Sequence, residues 1–275
     1  MTISVHTNKS ALVALQNLNK TNDELNDVQN RINTGLSIAN AKDNASVWAI
    51  AQGQRSDIGA LSAVKMSLDR AQSISEVSLA AGGNVSDLLV QLKEKVVSAQ
   101  DASLDVQSRT ALDADFKSIL RQISQITQNA AFDGADILDG TTQSIRFLAN
   151  ADANAYITLS GQDMSLGGAI ITLSSTASIT TVTLAAQALT DLNASIGNVN
   201  QALGNLGAQS KQIEGHNKFV SKLTDVLQAG IGNLVDADVA KESARLQALQ
   251  VQQQLGTQAL SIANQAPQII LSLFK

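Results

Sequence analysis

Apolar residues recur along this chain at steps of three and four. The first run is Ala11, Leu15, Leu18, Leu25 and Ile32, with Asn22 and Gln29 in the two slots that lack an apolar side chain. Leu12 and Val28 widen the stripe. This spacing predicts a helix of about six turns, or about 30 Å, with one apolar face. Thr34-Gly35 supplies its stop, because glycine suits a left-handed C-terminal cap. Residues 1–9 are polar and irregular and are expected to be unstructured in the free chain.

Residues 36–44 read as a loop, and a second helical region starts near Ala45. Its seam is Leu61, Val64, Leu68, Ala71, Ser75, Ser78, Gly82, Val85, Leu89, Leu92, Val96 and Ala99, a heptad pattern of the coiled-coil kind. Gly82-Gly83 marks either a soft point or the close approach of a neighbour. Residues 101–106 break the period. A third helix from Gln107 or Ser108 carries Leu112, Phe116, Ile119, Ile123, Ile126 and Ala130 on one face.

From Ile137 to Ser178 the composition turns to Thr, Ser, Gly and Asp, with β-prone runs at Ile145–Leu148, Tyr156–Leu159 and Ile170–Leu173. The heptad returns at Leu192, Ile196, Val199, Leu203, Leu206, Ser210, Ile213, Asn217, Val220, Thr224, Leu227, Ile231 and Leu234, a helix of roughly 60–70 Å. After Asp236-Ala-Asp238 the register slips. A last helix places Ala244, Ala248, Val251, Leu255, Ala259, Ile262, Ala266, Ile269 and Leu273 on one stripe. One such stripe cannot bury itself, and Ser10–Ile32 is the expected partner. The order of elements mirrors about the insert. The expected fold is mainly α: a long antiparallel helical rod or coiled coil with paired N- and C-terminal helices and a small β insert.

Composition narrows the function. The 275 residues are 44% hydrophobic but only 3% aromatic, so alanine and leucine must fill the core by close helix packing. Pro267 is the single proline and Cys is absent, which favours long helices and excludes disulfides and thiolate metal sites. A formal charge of -5 argues against nucleic-acid binding, and no apolar run is long enough to cross a membrane. The first ten residues lack a basic region followed by an apolar run, so no cleavable secretory signal is expected.

Catalytic chemistry has little support. The two histidines, His6 and His216, have no metal-ligand spacing; His216, between seam positions Ile213 and Asn217, reads as an exposed helix residue rather than a ligand. No phosphate loop and no nucleophile motif is present, so neither cofactor nor metal is expected and the chain does not read as an enzyme. Asp236 and Asp238 read as capping and dipole partners before a carboxylate pair. Arg31 either favours the helix dipole or pairs with another subunit. Trp48, the only tryptophan, is a packing anchor or a binding hot spot.

Three stretches carry a family resemblance. Arg31–Ala45, Arg-Ile-Asn-Thr-Gly-Leu-Ser-Ile-Ala-Asn-Ala-Lys-Asp-Asn-Ala, resembles the N-terminal signature of bacterial flagellins. Phe132-Asp-Gly-Ala-Asp-Ile-Leu-Asp resembles the family's turn after the second long-helix segment. Asp236-Ala-Asp-Val-Ala-Lys-Glu, Gln253-Gln-Leu-Gly-Thr-Gln-Ala-Leu and Ala263-Asn-Gln-Ala-Pro-Gln-Ile-Ile-Leu-Ser-Leu-Phe resemble its C-terminal helix. The match covers about 1–140 and 180–275, and looks like a short flagellin with little or no outer domain.

The resemblance implies a structural subunit that polymerises into the flagellar filament for swimming, with terminal helices that fold on assembly. Residues 1–40 with 236–275 would form the terminal coiled-coil domain of the filament core. Residues 41–235 would form a helical domain around the insert at about 137–178. The expected self-assembly residues are Leu15, Leu18, Leu25, Ile32, Leu255, Ile262, Ile269 and Leu273. Implied partners are the chain itself, sister flagellins, the flagellar export apparatus, an export chaperone, and junction and cap proteins, with no nucleic acid and no membrane. The implied location is extracellular, in the flagellum, reached without a cleaved signal. A hook–filament junction protein shares the terminal helices, and an unrelated soluble coiled-coil adaptor would explain the heptads alone.

Overall fold

The computed structural model describes residues 7–273, and side-chain surroundings as far as Gln265. The expectations placed on residues 1–6, on Pro267 and on the side chains of Ile269 and Leu273 lie outside that range. Among the described residues there are five helices and one hairpin: α1 (Lys9–Thr34), α2 (Ala45–Ala99), α3 (Val106–Gln128), β1 (Ser144–Leu148), β2 (Tyr156–Ser160), α4 (Val182–Val235) and α5 (Val239–Leu273). The chain is mainly α, as the apolar spacing predicts. It forms two compact units, one of residues 1–56 with 226–275 and one of residues 57–225.

In the 57–225 unit every seam position of α2 from Leu61 to Ala99 is buried, including Ser75, Ser78 and Gly82. The α4 strip lies antiparallel to it: Asn217 Nδ2 donates to Asp69 Oδ1 at 2.6 Å, and Gln100 Nε2 to the Ala185 carbonyl at 3.3 Å. At Gly82 a neighbour approaches closely. A Cβ there would sit 2.7 Å from Leu203 Cδ2, whereas one on Gly83 would meet nothing within 4 Å. The helix runs through both glycines without a break, which decides between the two readings of that pair.

Asp105 starts α3, accepting the Ser108 N–H at 2.7 Å. Arg109, nearly buried, closes the end of α2: Nε donates to the Ala99 carbonyl at 3.1 Å and Nη2 to the Asp101 carbonyl at 2.9 Å. The Ala99 carbonyl is one that the helix end leaves without an intrahelical partner, and the Asp101 carbonyl, in the turn beyond it, also accepts the Leu104 N–H. Asp113 ties α3 to the entry of α4, accepting from Ser178 Oγ at 2.8 Å and from the Ile179 N–H at 2.7 Å, with Lys117 Nζ 2.8 Å away. Burial pushes its carboxyl up, but the Lys117, Ile179 and Ser178 donors together hold it below the usual carboxylate range.

The insert is smaller in strand content than its sequence suggests. β1 and β2 pair antiparallel from Ser144↔Ser160 to Leu148↔Tyr156, with the Arg146 guanidinium 4.1 Å over the Tyr156 ring. The third β-prone run, Ile170–Leu173, joins no strand and makes only an isolated bridge, Leu166↔Ile171. Its backbone is engaged elsewhere. The Gly167 N–H donates to both the Ile171 and Leu173 carbonyls, and the Thr172 N–H donates to Ser195 Oγ. His216 is half-buried, not exposed, and its Nε2 donates to the Ala149 carbonyl at 2.7 Å next to the hairpin.

In the unit of residues 1–56 and 226–275, Asn8 caps α1 by accepting the Ala11 N–H, and Gly35 ends it at φ 72. Ser37 and Ile38 donate to the Val235 carbonyl, the Ala237 N–H donates to the Gly35 carbonyl, and Leu36 bridges Asp236. The connection after α1 is thus stitched to the connection before α5. Asp238 caps α5 through the Lys241 N–H at 3.1 Å, the capping role read for it. Trp48 is half-buried near the start of α2.

Candidate functional site

The terminal helices α1 and α5 pair antiparallel, and their contacts fall in layers. Asn8 Nδ2 donates to the Ala263 carbonyl at 2.7 Å. Leu18 lies against Gly256, where a Cβ would come within 3.2 Å of Leu18 Cδ1. Gln253 Nε2 donates to Asn22 Oδ1 at 2.7 Å. Leu25, Val28 and Leu249 form the buried centre, with Ile32 and Leu246 against it. Beyond that, Arg31 Nη1 meets Glu242 Oε1 at 3.4 Å. Glu242 is only 8% exposed, and its Oε2 is buried without a partner.

The side of α5 that faces α1 therefore carries Glu242, Leu246, Leu249, Gln253, Gly256, Leu260 and Ala263. That differs from the stripe expected to make this pairing. Val251 is 55%, Leu255 58% and Ile262 69% exposed, and Ala244, Ala248 and Ala259 are exposed as well. At about 100° per residue the two sets lie on opposite sides of the helix. α5 has two faces, each with a spacing of three and four. The inner one escapes a hydrophobicity count because Glu242, Gln253 and Gly256 occupy three of its positions. They contribute an ion pair, a hydrogen bond and a close backbone approach in place of apolar bulk.

On α1, Leu25 is buried and Leu18 and Ile32 are half-buried on the paired side. Leu15 is 42% exposed, and Leu12 and Val13 are 53% and 56% exposed. The paired face thus thins toward the start of α1. There a groove of about 390 Å³ opens between the helices, lined by Thr7, Asn8, Ala11, Leu12, Leu15, Leu260 and Asn264. Of the expected assembly residues, Leu18, Leu25 and Ile32 come together against α5, while Leu15, Leu255 and Ile262 stand open. From Leu246 to Leu273 no side chain is charged, so the outward face of α5 offers apolar groups among amides and hydroxyls.

Among the described residues no group of three or more His, Cys, Asp or Glu side chains is placed to hold a metal ion, and no helix is long and apolar enough to cross a membrane. What this arrangement can do is bury an open apolar face against another surface.

The comparisons agree on a family. Residues 5–143 match the model for the bacterial flagellin N-terminal helical region, and residues 183–274 match that for the C-terminal helical region. The chain is 54% identical to flagellin FljJ of Caulobacter vibrioides, over 100% of this chain and 99% of that one. It is 49% identical to flagellin FljM of the same organism, over 99% and 98% of the two chains. A flagellin of Brucella melitensis is 39% identical over 99% of both. In fold it is similar to Bacillus cereus flagellin (TM-score 0.50, 18% identity, 56% of this chain and 88% of that one). It is also similar in fold to a putative flagellar hook-associated protein of Vibrio parahaemolyticus (TM-score 0.56, 12% identity, 70% and 100%).

Proposed function

We propose, for a chain that belongs to the bacterial flagellin family and is a structural subunit of the flagellar filament, a division of labour between the two faces of α5. The inner face seats on α1 within one subunit. The outer face, with Val251, Leu255 and Ile262, packs on neighbouring subunits in the polymer. The observation that carries this reading is the outward exposure of those three residues opposite a face already paired.

Folding of the terminal helices is coupled to assembly in this account. Among the described residues Leu25, Val28 and Leu249 form the buried centre of the pair. Each returns roughly 1.5–3 kcal/mol on burial, whereas ordering one residue's backbone costs about 1–2 kcal/mol. Helix nucleation is costly besides. Neighbours in a filament bury the outer face and supply what the isolated pair lacks. The subunit then stays soluble until a growing tip provides the template. Leu15, Leu18, Leu25, Ile32, Leu255, Ile262, Ile269 and Leu273 are the residues assigned to this assembly, within a core domain of 1–40 and 236–275. Residues 41–235, with the insert at about 137–178, form the helical rod domain of this reading.

The rest follows the family. The subunit acts as building material without a catalytic role and leaves the cell through the flagellar export apparatus without a cleaved signal. It meets an export chaperone, junction and cap proteins and sister flagellins on the way. Seeded polymerisation of the full chain, compared with a chain ending at Val235 and followed by negative-stain microscopy, tests the reading. Long filaments from the full chain and none from the truncated one are expected. Closed oligomers from the full chain, or filaments from the truncated chain, contradict it.

A further inference from the structure

The groove between α1 and α5 and Ile262 of the open face lie at the same end of the terminal pair but on opposite sides. Leu260 lines the groove, and Asn264 follows it by one turn on the same side. Ile262, 69% exposed, lies between them in sequence. It is rotated from Leu260 by roughly 200°, so it projects away from the groove. One end of the pair thus presents a hollow on one side and an isoleucine on the other.

We propose that Ile262 of one subunit seats in the groove lined by Ala11, Leu12, Leu15 and Leu260 of the next. This contact names the surface that receives the outer face of α5, and it rests on the division of faces proposed above. A hollow of about 390 Å³ has room for an isoleucine side chain with the neighbouring helix surface beside it. Ala259, one turn before Ile262, is small and exposed, so it lets the receiving helices approach the α5 backbone. The surroundings match in polarity. Thr7 and Asn264 on the rim are neutral hydrogen-bonding groups, and so are the exposed Gln258 and Gln265 that flank Ile262.

The occupant is a second copy of this chain for two reasons. No charged side chain occurs from Leu246 to Leu273, so copies of a protein with a formal charge of -5 meet here without like-charge repulsion. The hollow and the projection are also on different sides of one unit, so each contact leaves a free hollow and a free projection for the next. That heterologous pattern extends without closing, as a helical polymer requires. Two copies related by a closed two-fold axis would bury one pair of surfaces and stop.

The absence of cysteine makes the test direct. Full-length chains carrying Leu12→Cys alone and Ile262→Cys alone are mixed as minor components into the unmodified chain, grown from filament seeds and oxidised. A second mixture uses Thr7→Cys on the polar rim in place of Leu12→Cys, which spares the apolar lining. No chain carries both cysteines, so every mixed disulfide joins two subunits. The expected result is a dimer linking position 262 to position 12 or 7 in filaments, about tenfold above the yield in the unpolymerised mixture. Filaments that incorporate the variants but give only 262–262 links, or no links in either mixture, overturn the seating while leaving the assembly reading intact. Failure of the unmodified chain to grow from seeds overturns both.

Discussion

Arg31 and Glu242 are joined across the terminal pair by one hydrogen-bonded contact of 3.4 Å, and the second carboxylate oxygen of Glu242 is buried without a partner. With Asn22–Gln253 and Asn8–Ala263, this contact pins α1 to α5 in one antiparallel register. A slip by one turn would separate all three. Polar contacts inside a helix pair add little net stability and penalise wrong registers. Within the chain, the basic residue near the end of α1 thus has Glu242 of α5 as its partner.

Arg31→Ala leaves the Glu242 carboxylate buried with no counter-charge. The expected loss is about 1–3 kcal/mol, moderated because the Arg31 side chain is partly exposed. Glu242→Gln removes the charge but keeps the shape and costs less. Thermal melting of filaments by circular dichroism checks the order: Arg31→Ala lowest, Glu242→Gln between it and the unmodified chain. An Arg31→Ala filament that melts like the unmodified one contradicts the role.

Arg109→Lys tests the closure of α2. An ammonium on a flexible stem cannot reproduce the fork that reaches the Ala99 and Asp101 carbonyls together. The unit of residues 57–225 is expected to lose about 1–3 kcal/mol, chiefly through the buried Ala99 carbonyl left without its donor. Denaturant unfolding of the full chain reads this as a lower midpoint in its main transition.

Two buried carboxyls predict opposite responses to pH. Asp113 is held below the ordinary carboxylate value of 3.8, so its contribution is present above that value and is lost as pH falls through the lower folded value. Asp136 is raised, chiefly by burial, with the Leu138 N–H opposing and the nearby Asp139 charge adding. Its folded form holds the proton longer than the unfolded chain does, so its contribution falls as pH rises from 3.8 through the folded value. Asp136 Oδ2 is also buried without a partner. Asp136→Asn is expected to raise the melting temperature at pH 7, with the gain shrinking as pH drops toward 4. Asp113→Asn is expected to lower it at pH 7, with the loss shrinking below pH 4. Melting curves across that range check both signs.

The long helices were legible because Val, Leu and Ile fill most seam positions at steps of three and four, with small or polar residues such as Ser75, Ser78, Gly82 and Asn217 keeping the spacing between them. Each seam position assigned in α2 is buried. In α4 Leu192, Val199, Leu206, Ile213, Val220 and Ile231 are buried, but Ile196 and Leu203 are half-buried beside the buried Ser195 and Ala202, and Leu234 is 38% exposed while Val235 beside it is buried. The helix ends at Val235, and its carbonyl turns to accept from Ser37 and Ile38, a tertiary contact that periodicity cannot carry. The pairing face of α5 was hidden for a different reason. Its work is done by Glu242, Gln253 and Gly256, which hydrophobicity ranks as solvent-facing, so the more apolar stripe drew the assignment. The spacing of Glu242, Leu246, Leu249, Gln253, Gly256, Leu260 and Ala263 was the available signal. The Ile170–Leu173 run has strand composition, but its backbone groups are taken by the Gly167 N–H and by Ser195 Oγ, and pairing depends on the partner as much as on propensity.

The central claim is that α5 pairs inward with one face and polymerises with the other. Seeded growth of a chain carrying Val251→Gln, Leu255→Gln and Ile262→Gln, measured as critical concentration beside the unmodified chain, tests it most directly. These glutamines keep helix propensity and leave the face on α1 untouched. The account predicts that the triple variant does not elongate at concentrations where the unmodified chain grows long filaments. Growth of the triple variant at the unmodified chain's critical concentration would contradict it.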